Sequence, residues 1–100
     1  MIYVTQLIYL IPGRETEFYE FEDQVLPLME RYSGKLLLRV RPDSTAIIAA
    51  AMEKPFEIHF MSFDSEELLQ GYRNDAERKK YLYLKEDSVR TTFLTMGSVI

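Results

Sequence analysis

The residues best suited to acid–base chemistry lie close together in one apolar stretch. His59 is the only histidine of the chain, and Glu57 lies two residues before it. In an extended strand, residues two apart point to the same side, so these two side chains can share one polar cluster. A histidine beside a carboxylate can accept or donate a proton near neutral pH. The spacing therefore predicts His59 and Glu57 as candidate catalytic residues.

Two arginines on the preceding predicted strand could complete this cluster. Arg39 and Arg41 alternate with apolar residues, so both belong on one side of their strand. Either guanidinium could hold the anionic group of a ligand, which predicts both as substrate-binding residues. A structural role is the alternative, in which Glu57, His59 and Arg39 form a buried polar network that fixes the register of a dimer.

Three further features could contact a ligand. Gln6 is the one polar residue on the presumed helix-facing side of the first strand, where it could bind a ligand or a backbone group freed at Pro27. Tyr3 is an aromatic residue on the opposite side of that strand and is a candidate for substrate binding. The basic run 78–80 is either a solvated helix face or an anion site.

Composition excludes several classes of chemistry. The absence of cysteine rules out disulfides, thiolate metal sites and cysteine nucleophiles. A net charge of -4 does not suit nucleic-acid binding, which needs a basic surface. Neither a nucleotide-binding loop nor a nucleophile elbow occurs. We expect no cofactor and no metal, a cytoplasmic location, and no membrane partner, since the apolar first eleven residues are too short to span a bilayer.

The order of predicted elements is β-α-β-β-α-β over one domain, residues 1–100. This is the split βαβ pattern of the ferredoxin-like α+β fold, with an antiparallel sheet and its helices on one face. The predicted strands are 2–11, 35–41, 56–63 and 91–97, and the predicted helices are 14–33, 64–73 and 76–85. Residues 45–51 could extend the second strand. Pro27 should bend or break the first helix near Leu26, and Gly34 should end it as a left-handed cap.

Alternation along the strands sorts the side chains into two sets. The more apolar set is expected to lie under the helices: Ile2, Val4, Gln6, Ile8, Leu10, Leu36, Leu38, Val40, Phe56, Ile58 and Phe60. The opposite, mixed set is Tyr3, Thr5, Leu7, Tyr9, Lys35, Leu37, Arg39, Arg41, Glu57, His59, Met61 and Phe63. A monomer would leave the apolar members of the mixed set in water, so the pattern predicts a homodimer formed through this face.

Three stretches of the chain together resemble a known superfamily. They are Val25-Leu-Pro-Leu28 running on through Tyr32-Ser-Gly-Lys-Leu-Leu-Leu-Arg39, Pro55-Phe-Glu-Ile-His-Phe-Met-Ser-Phe63 with Asp64-Ser65, and Tyr72 to Arg78. In this layout the chain is similar to the dimeric α+β barrel proteins. That group includes antibiotic-biosynthesis monooxygenases, muconolactone isomerases and small families of unknown function, and the last of these match best.

The resemblance implies a homodimeric barrel that binds or transforms a small aromatic or carboxylate molecule. Cofactor-free oxygenation and isomerisation are the reactions that it implies. The chain has no Trp, which the monooxygenases of this group often place in their pocket, so it departs from them there. The alternative is a structural or interaction module whose polar sheet face serves only dimerisation, because one fold supports many functions.

Overall fold

Four strands form one antiparallel sheet in a computed structural model that describes residues 1–100. The strands are β1 (Ile2–Leu10), β2 (Lys35–Val40), β3 (Glu57–Phe63) and β4 (Val89–Gly97), and their order in the sheet is β2-β3-β1-β4. The helices are α1 (Glu15–Val25), α2 (Glu66–Arg73), α3 (Ala76–Lys79) and α4 (Leu82–Ser88). The predicted ferredoxin-like α+β fold is therefore confirmed. None of the helices is long and apolar enough to cross a membrane.

The first helix breaks where Pro27 predicts. The α-helix ends at Val25, and the chain continues as a 3₁₀ segment, Leu26–Tyr32. The left-handed residue that follows is Ser33, with φ of 53°, so the prediction of Gly34 as the cap is wrong. Gly34 is instead required for packing, since a Cβ there would lie 2.6 Å from the Phe63 ring.

One other local prediction is wrong. Residues 45–51 do not extend β2, because Ser44–Ala46 form a 3₁₀ turn that is capped by Asp43. The helix predicted over 64–73 begins at Glu66, where the hydroxyl of Ser65 caps it by accepting a hydrogen bond from the Leu68 amide at 3.2 Å.

The main correction concerns which side of β3 and β2 lies under the helices. Gln6 pairs with His59, and His59 pairs with Arg39, so these side chains share one face. That face also carries Val4, Met61 and Phe63, which pack against the helices in the main core cluster. The sequence prediction therefore places the correct residues of β1 under the helices, but for β3 it places the wrong alternating set there. In β2 the register shifts between Leu36 and Leu38, which places Arg39 and Arg41 on the helix side.

The other face of the sheet has no helix over it, and we call it the open face. By alternation and register it carries Tyr3, Thr5, Leu7, Leu38, Val40, Ile58, Phe60 and Phe93. The rings of Tyr3 and Phe60 stack with their centroids 5.7 Å apart. Leu38 and Phe93 are each about half exposed. The open face is thus apolar, whereas the sequence prediction made it mixed and charged.

Candidate functional site

Glu57 is the centre of a polar cluster on the helix side of the sheet. Its side chain is 1% exposed, and its carboxylate accepts hydrogen bonds from both neighbouring arginines and from His59. Arg39 Nε lies 2.8 Å from Oε1, and Arg41 Nε lies 3.0 Å from Oε2. His59 Nε2 lies 2.9 Å from Oε1. The strand spacing of two residues and the β2–β3 register together bring these four side chains into contact.

This environment keeps Glu57 ionised. Burial alone raises the pKa of its carboxyl, but the hydrogen bonds from His59, Arg39 and Arg41 outweigh burial and lower the pKa from 4.5 to about 2. A carboxylate with so low a proton affinity is a poor general base at neutral pH. Glu57 therefore suits a positioning role better than a catalytic one, and it engages both arginines, which argues against their predicted role as ligand-binding cations.

His59 is fully buried, and its two ring nitrogens have different surroundings. Because Glu57 is ionised it can only accept, so His59 Nε2 carries the hydrogen of their shared bond. Nδ1, which is an acceptor when the ring is neutral, has no hydrogen-bond partner in the protein. An imidazole held by a carboxylate at one nitrogen and free at the other is the arrangement of a general base.

A cavity of about 520 Å³ lies between the sheet and the helices, and His59 is part of its wall. The sheet contributes Gln6, Met61 and Leu94, and the helices contribute apolar side chains such as Phe21 and Leu69. A volume of this size suits a small ligand, and the wall combines apolar side chains with nearly as many polar or charged ones, which can orient a ligand. The cavity and the open face are thus on opposite sides of one sheet.

Glu22 is a cavity residue that the sequence interpretation did not single out. It belongs to α1 and is 6% exposed, and no cation lies within 4.0 Å of its carboxyl. Burial raises its pKa, although the positive charge of Arg39 and a charge at His59 act in the opposite direction. An unpaired carboxyl in such a place favours its protonated form, which can donate a proton.

Basic side chains from the second helical region surround another part of the cavity. Arg78 lies over the rings of Tyr72 and Phe21, with its Cζ 4.9 and 5.7 Å from their centroids, and its Nε is buried without a hydrogen-bond partner. Arg73 and Lys85 also line the cavity. Burial lowers the pKa of Lys85, and the charges of Arg78 and Arg73 lower it further. Three cations around one cavity favour a ligand that carries a negative charge.

The predicted site residues therefore divide into two groups. His59 and Gln6 line the cavity, and Glu57, Arg39 and Arg41 support it from the sheet. Tyr3 lies on the open face, so the prediction that it joins this site is wrong. The functions of these residues stay predictions. No group of three His, Cys, Asp or Glu side chains is arranged to hold a metal ion.

Sequence reasoning missed the helix side of the site for an identifiable reason. Glu22 is one of several acids in α1, and only its buried position distinguishes it from them. Tyr72 packs in the main core cluster, with its hydroxyl donating to the Val25 carbonyl at 3.0 Å. Arg78 belongs to the basic run 78–80, for which an anion site was one alternative. Glu22 lies four residues after Phe18 and three before Val25, both buried in α1, and this helical spacing was the available signal for it.

Replacing Glu22 with glutamine is expected to stabilise the protein at neutral pH. A raised carboxyl pKa gives stability that is present below the unfolded-state pKa near 4.5 and is lost as pH rises through the folded-state value. Glutamine does not ionise, so the Glu22→Gln variant should exceed the wild type at pH 7 and match it near pH 4. Urea unfolding at both pH values measures the difference. A variant that is less stable than the wild type at pH 7 would contradict this assignment.

Comparisons with known proteins show the fold of this chain. No family model matches the sequence, and no curated protein matches it. A protein of unknown function from Rhodopseudomonas palustris superposes with a TM-score of 0.82 at 14% identity, over 99% of this chain and 82% of that one. An uncharacterised NIPSNAP domain protein from Burkholderia xenovorans has a TM-score of 0.72 at 12% identity, over 100% of this chain and 95% of that one. A dimeric protein of unknown function and ferredoxin-like fold from Bacteroides fragilis has a TM-score of 0.71 at 9% identity, over 98% and 95%.

Proposed function

We propose that this chain binds a small anionic molecule with an apolar or aromatic body in the cavity between sheet and helices, where His59 exchanges a proton with it. The observation that carries the proposal is the buried, unpartnered Nδ1 of His59 in the wall of a cavity of about 520 Å³. A buried polar atom without a partner costs free energy, so a ligand that supplies the partner gains affinity.

The distribution of side chains around the cavity supports an anion with an apolar body. Phe21, Leu69 and Leu94 offer contacts to a ring or an alkyl group. Arg78 carries an unpartnered Nε, and a guanidinium binds a carboxylate through charge-assisted hydrogen bonds. We assign the anion to Arg78, with Arg73 and Lys85 adding positive charge, instead of to Arg39 and Arg41.

Isomerisation is the reaction class that these residues support best. A proton shift within a molecule needs one group that removes a proton and one that supplies it. His59 can accept at Nδ1, and the Nε2 hydrogen bond to ionised Glu57 stabilises the positive charge that then develops on the ring. Oxygenation without a cofactor, the other reaction that the resemblance implies, draws no comparable support from the cluster.

We also propose that the open face is covered by a second copy of the chain. Its eight largely apolar residues form one contiguous surface, and a two-fold axis lets such a surface cover itself. The solved relative from Bacteroides fragilis is described as dimeric. The alternative, a module whose polar sheet face serves only dimerisation, draws no support from an arrangement in which Glu57, His59 and both arginines lie on the helix side.

Calorimetric titration with phenylacetate and with its neutral analogue phenylacetamide tests the proposed ligand class. We expect saturable binding of the carboxylate and weaker binding of the amide. Arg78→Gln should weaken phenylacetate binding by about tenfold, which corresponds to the ~1.4 kcal/mol of one charge-assisted hydrogen bond. The measurement is the dissociation constant of each protein for each compound.

Lys79→Gln is the matched control for Arg78→Gln. It removes the same charge from the adjacent residue, which is exposed and does not line the cavity. Its affinity for phenylacetate should equal that of the wild type. Equal binding of acid and amide, or equal loss in both variants, would contradict the placement of the anion at Arg78. No saturable binding of either compound would count against a ligand role for the cavity.

A further inference from the structure

Two titratable side chains reach the cavity from opposite layers of the fold. His59 comes from β3 in the sheet, and Glu22 comes from α1, which packs over the sheet. Both are more than nine-tenths buried. His59 Nδ1 has no hydrogen-bond partner in the protein, and no cation pairs with the carboxyl of Glu22 within 4.0 Å. Two buried polar groups in one cavity, each free to bind something else, are candidates for opposite halves of a proton transfer.

We infer that Glu22 and His59 form an acid–base pair that moves a proton between carbon and oxygen of an enolisable carboxylate bound in the cavity. This inference rests on the proposed function and deepens it by naming the substrate class and the second reacting group. The substrate class is a 2-oxo acid with an apolar or aromatic body, because its carboxylate suits Arg78 and its carbonyl makes the neighbouring C–H acidic.

The step is balanced without an oxidant or a reductant. His59 Nδ1 takes a proton from the carbon next to the carbonyl, and the electrons of that C–H bond form the carbon–carbon double bond. The carbonyl π electrons move to oxygen, which takes the proton of the Glu22 carboxyl. The product is the enol isomer of the substrate, and proton transfer from the imidazolium to the Glu22 carboxylate, through water, restores the starting state.

The charges that face Glu22 are compatible with a donor that is regenerated at each turnover. Arg39 from β2 and Arg78 from α3 stabilise the carboxylate form, as does a charge on His59, whereas burial and the charge of Glu57 favour the acid. Lys85 from α4 also interacts with Glu22. Burial is the largest of these influences and raises the pKa of Glu22 above its ordinary value, which makes the acid form of the carboxyl more accessible at neutral pH.

Deuterium exchange of phenylpyruvate tests the pair. Proton NMR in D₂O follows loss of its benzylic C–H signal, and calorimetric titration measures its binding to the same proteins. We expect the wild type to accelerate exchange above the rate in buffer alone. His59→Gln and Glu22→Gln should each lower that acceleration by about 100-fold while phenylpyruvate still binds. Glu20→Gln, which removes the same charge from an exposed position of α1, should retain the full acceleration.

The possible outcomes separate this inference from the proposed function. Binding of phenylpyruvate without accelerated exchange would overturn the acid–base pair and leave the binding function standing. Acceleration that Glu22→Gln leaves unchanged would also overturn the pair. Absence of binding would overturn both proposals. Retained binding shows that a variant is folded, and Glu22→Gln decides the outcome alone if His59→Gln does not fold.

Discussion

Glutamine in place of Glu57 is expected to lower the free energy of unfolding by about 3 kcal/mol at pH 7. The carboxyl pKa is about 2 in the folded protein and near 4.5 when unperturbed, and each unit of difference is equivalent to ~1.4 kcal/mol. Because the folded-state pKa is depressed, this stabilisation is fully present above pH 4.5 and is lost as pH falls toward 2. The wild type and the variant should therefore converge in stability at low pH.

Urea unfolding at a fixed protein concentration, repeated between pH 7 and pH 3, measures this effect. Glu53→Gln is the matched control, because Glu53 also pairs with an arginine, Arg90, but its side chain is 63% exposed. An exposed ion pair of that kind contributes at most ~1 kcal/mol. If Glu57→Gln costs no more than Glu53→Gln, the cluster does not stabilise the fold as its geometry indicates.

Glutamate in place of Leu38 is expected to convert the proposed dimer into a monomer. Leu38 is 54% exposed on the open face, so the substitution should leave folding of the single chain almost unchanged. In a two-fold dimer the change places two unpaired charges in one interface, and burying each of them costs several kcal/mol. We expect self-association to weaken by at least about 100-fold, as measured by sedimentation equilibrium.

Tyr83→Glu provides the comparison for Leu38→Glu. Tyr83 is 55% exposed, but it lies on α4, away from the open face. The same charge introduced there should leave the association constant unchanged. A wild type that is monomeric at micromolar concentration, or equal weakening by both substitutions, would contradict dimerisation through the open face.

The sequence predicted the fold because order and spacing determine it. Strand-like and helix-like segments alternate in the βαββαβ order, and Pro27 breaks the first helix near Leu26 as the missing amide hydrogen requires. Which side of β3 faces the helices could not be predicted in the same way. Apolar preference placed Ile58 and Phe60 under the helices, yet the structure turns Glu57 and His59 there and leaves Ile58 and Phe60 on the open face.

The reversal has a physical cause. Alternation divides a strand into two sets, and the more apolar set is normally the buried one. In β3 the set that contains Glu57 and His59 is buried instead, because the Glu57 carboxylate accepts hydrogen bonds from His59, Arg39 and Arg41. The register shift after Leu36 changes the phase within β2, and no residue type marks it.

Only the site residues that the sheet contributes were predictable from the sequence. The two-residue spacing and the neighbouring strand were enough to group Glu57, His59 and Arg39, whose side chains do make contact. Glu22 and Arg78 reach the cavity because of how α1 and α3 are rotated over the sheet. That rotation depends on side-chain packing between layers, which a single sequence does not specify.

The position of the cavity and the open face on opposite sides of one sheet affects how this chain can change over evolution. His59 and Phe60 are adjacent in β3, but His59 faces the cavity and Phe60 lies on the open face. The insertion or deletion of one residue in β3 would therefore exchange the faces on which these two side chains lie. Such an indel would put an aromatic ring in the cavity and an imidazole in the proposed interface at once. We therefore expect homologous chains to vary in length between Pro42 and Pro55, where the backbone is outside the sheet, and to keep the length of β3 constant.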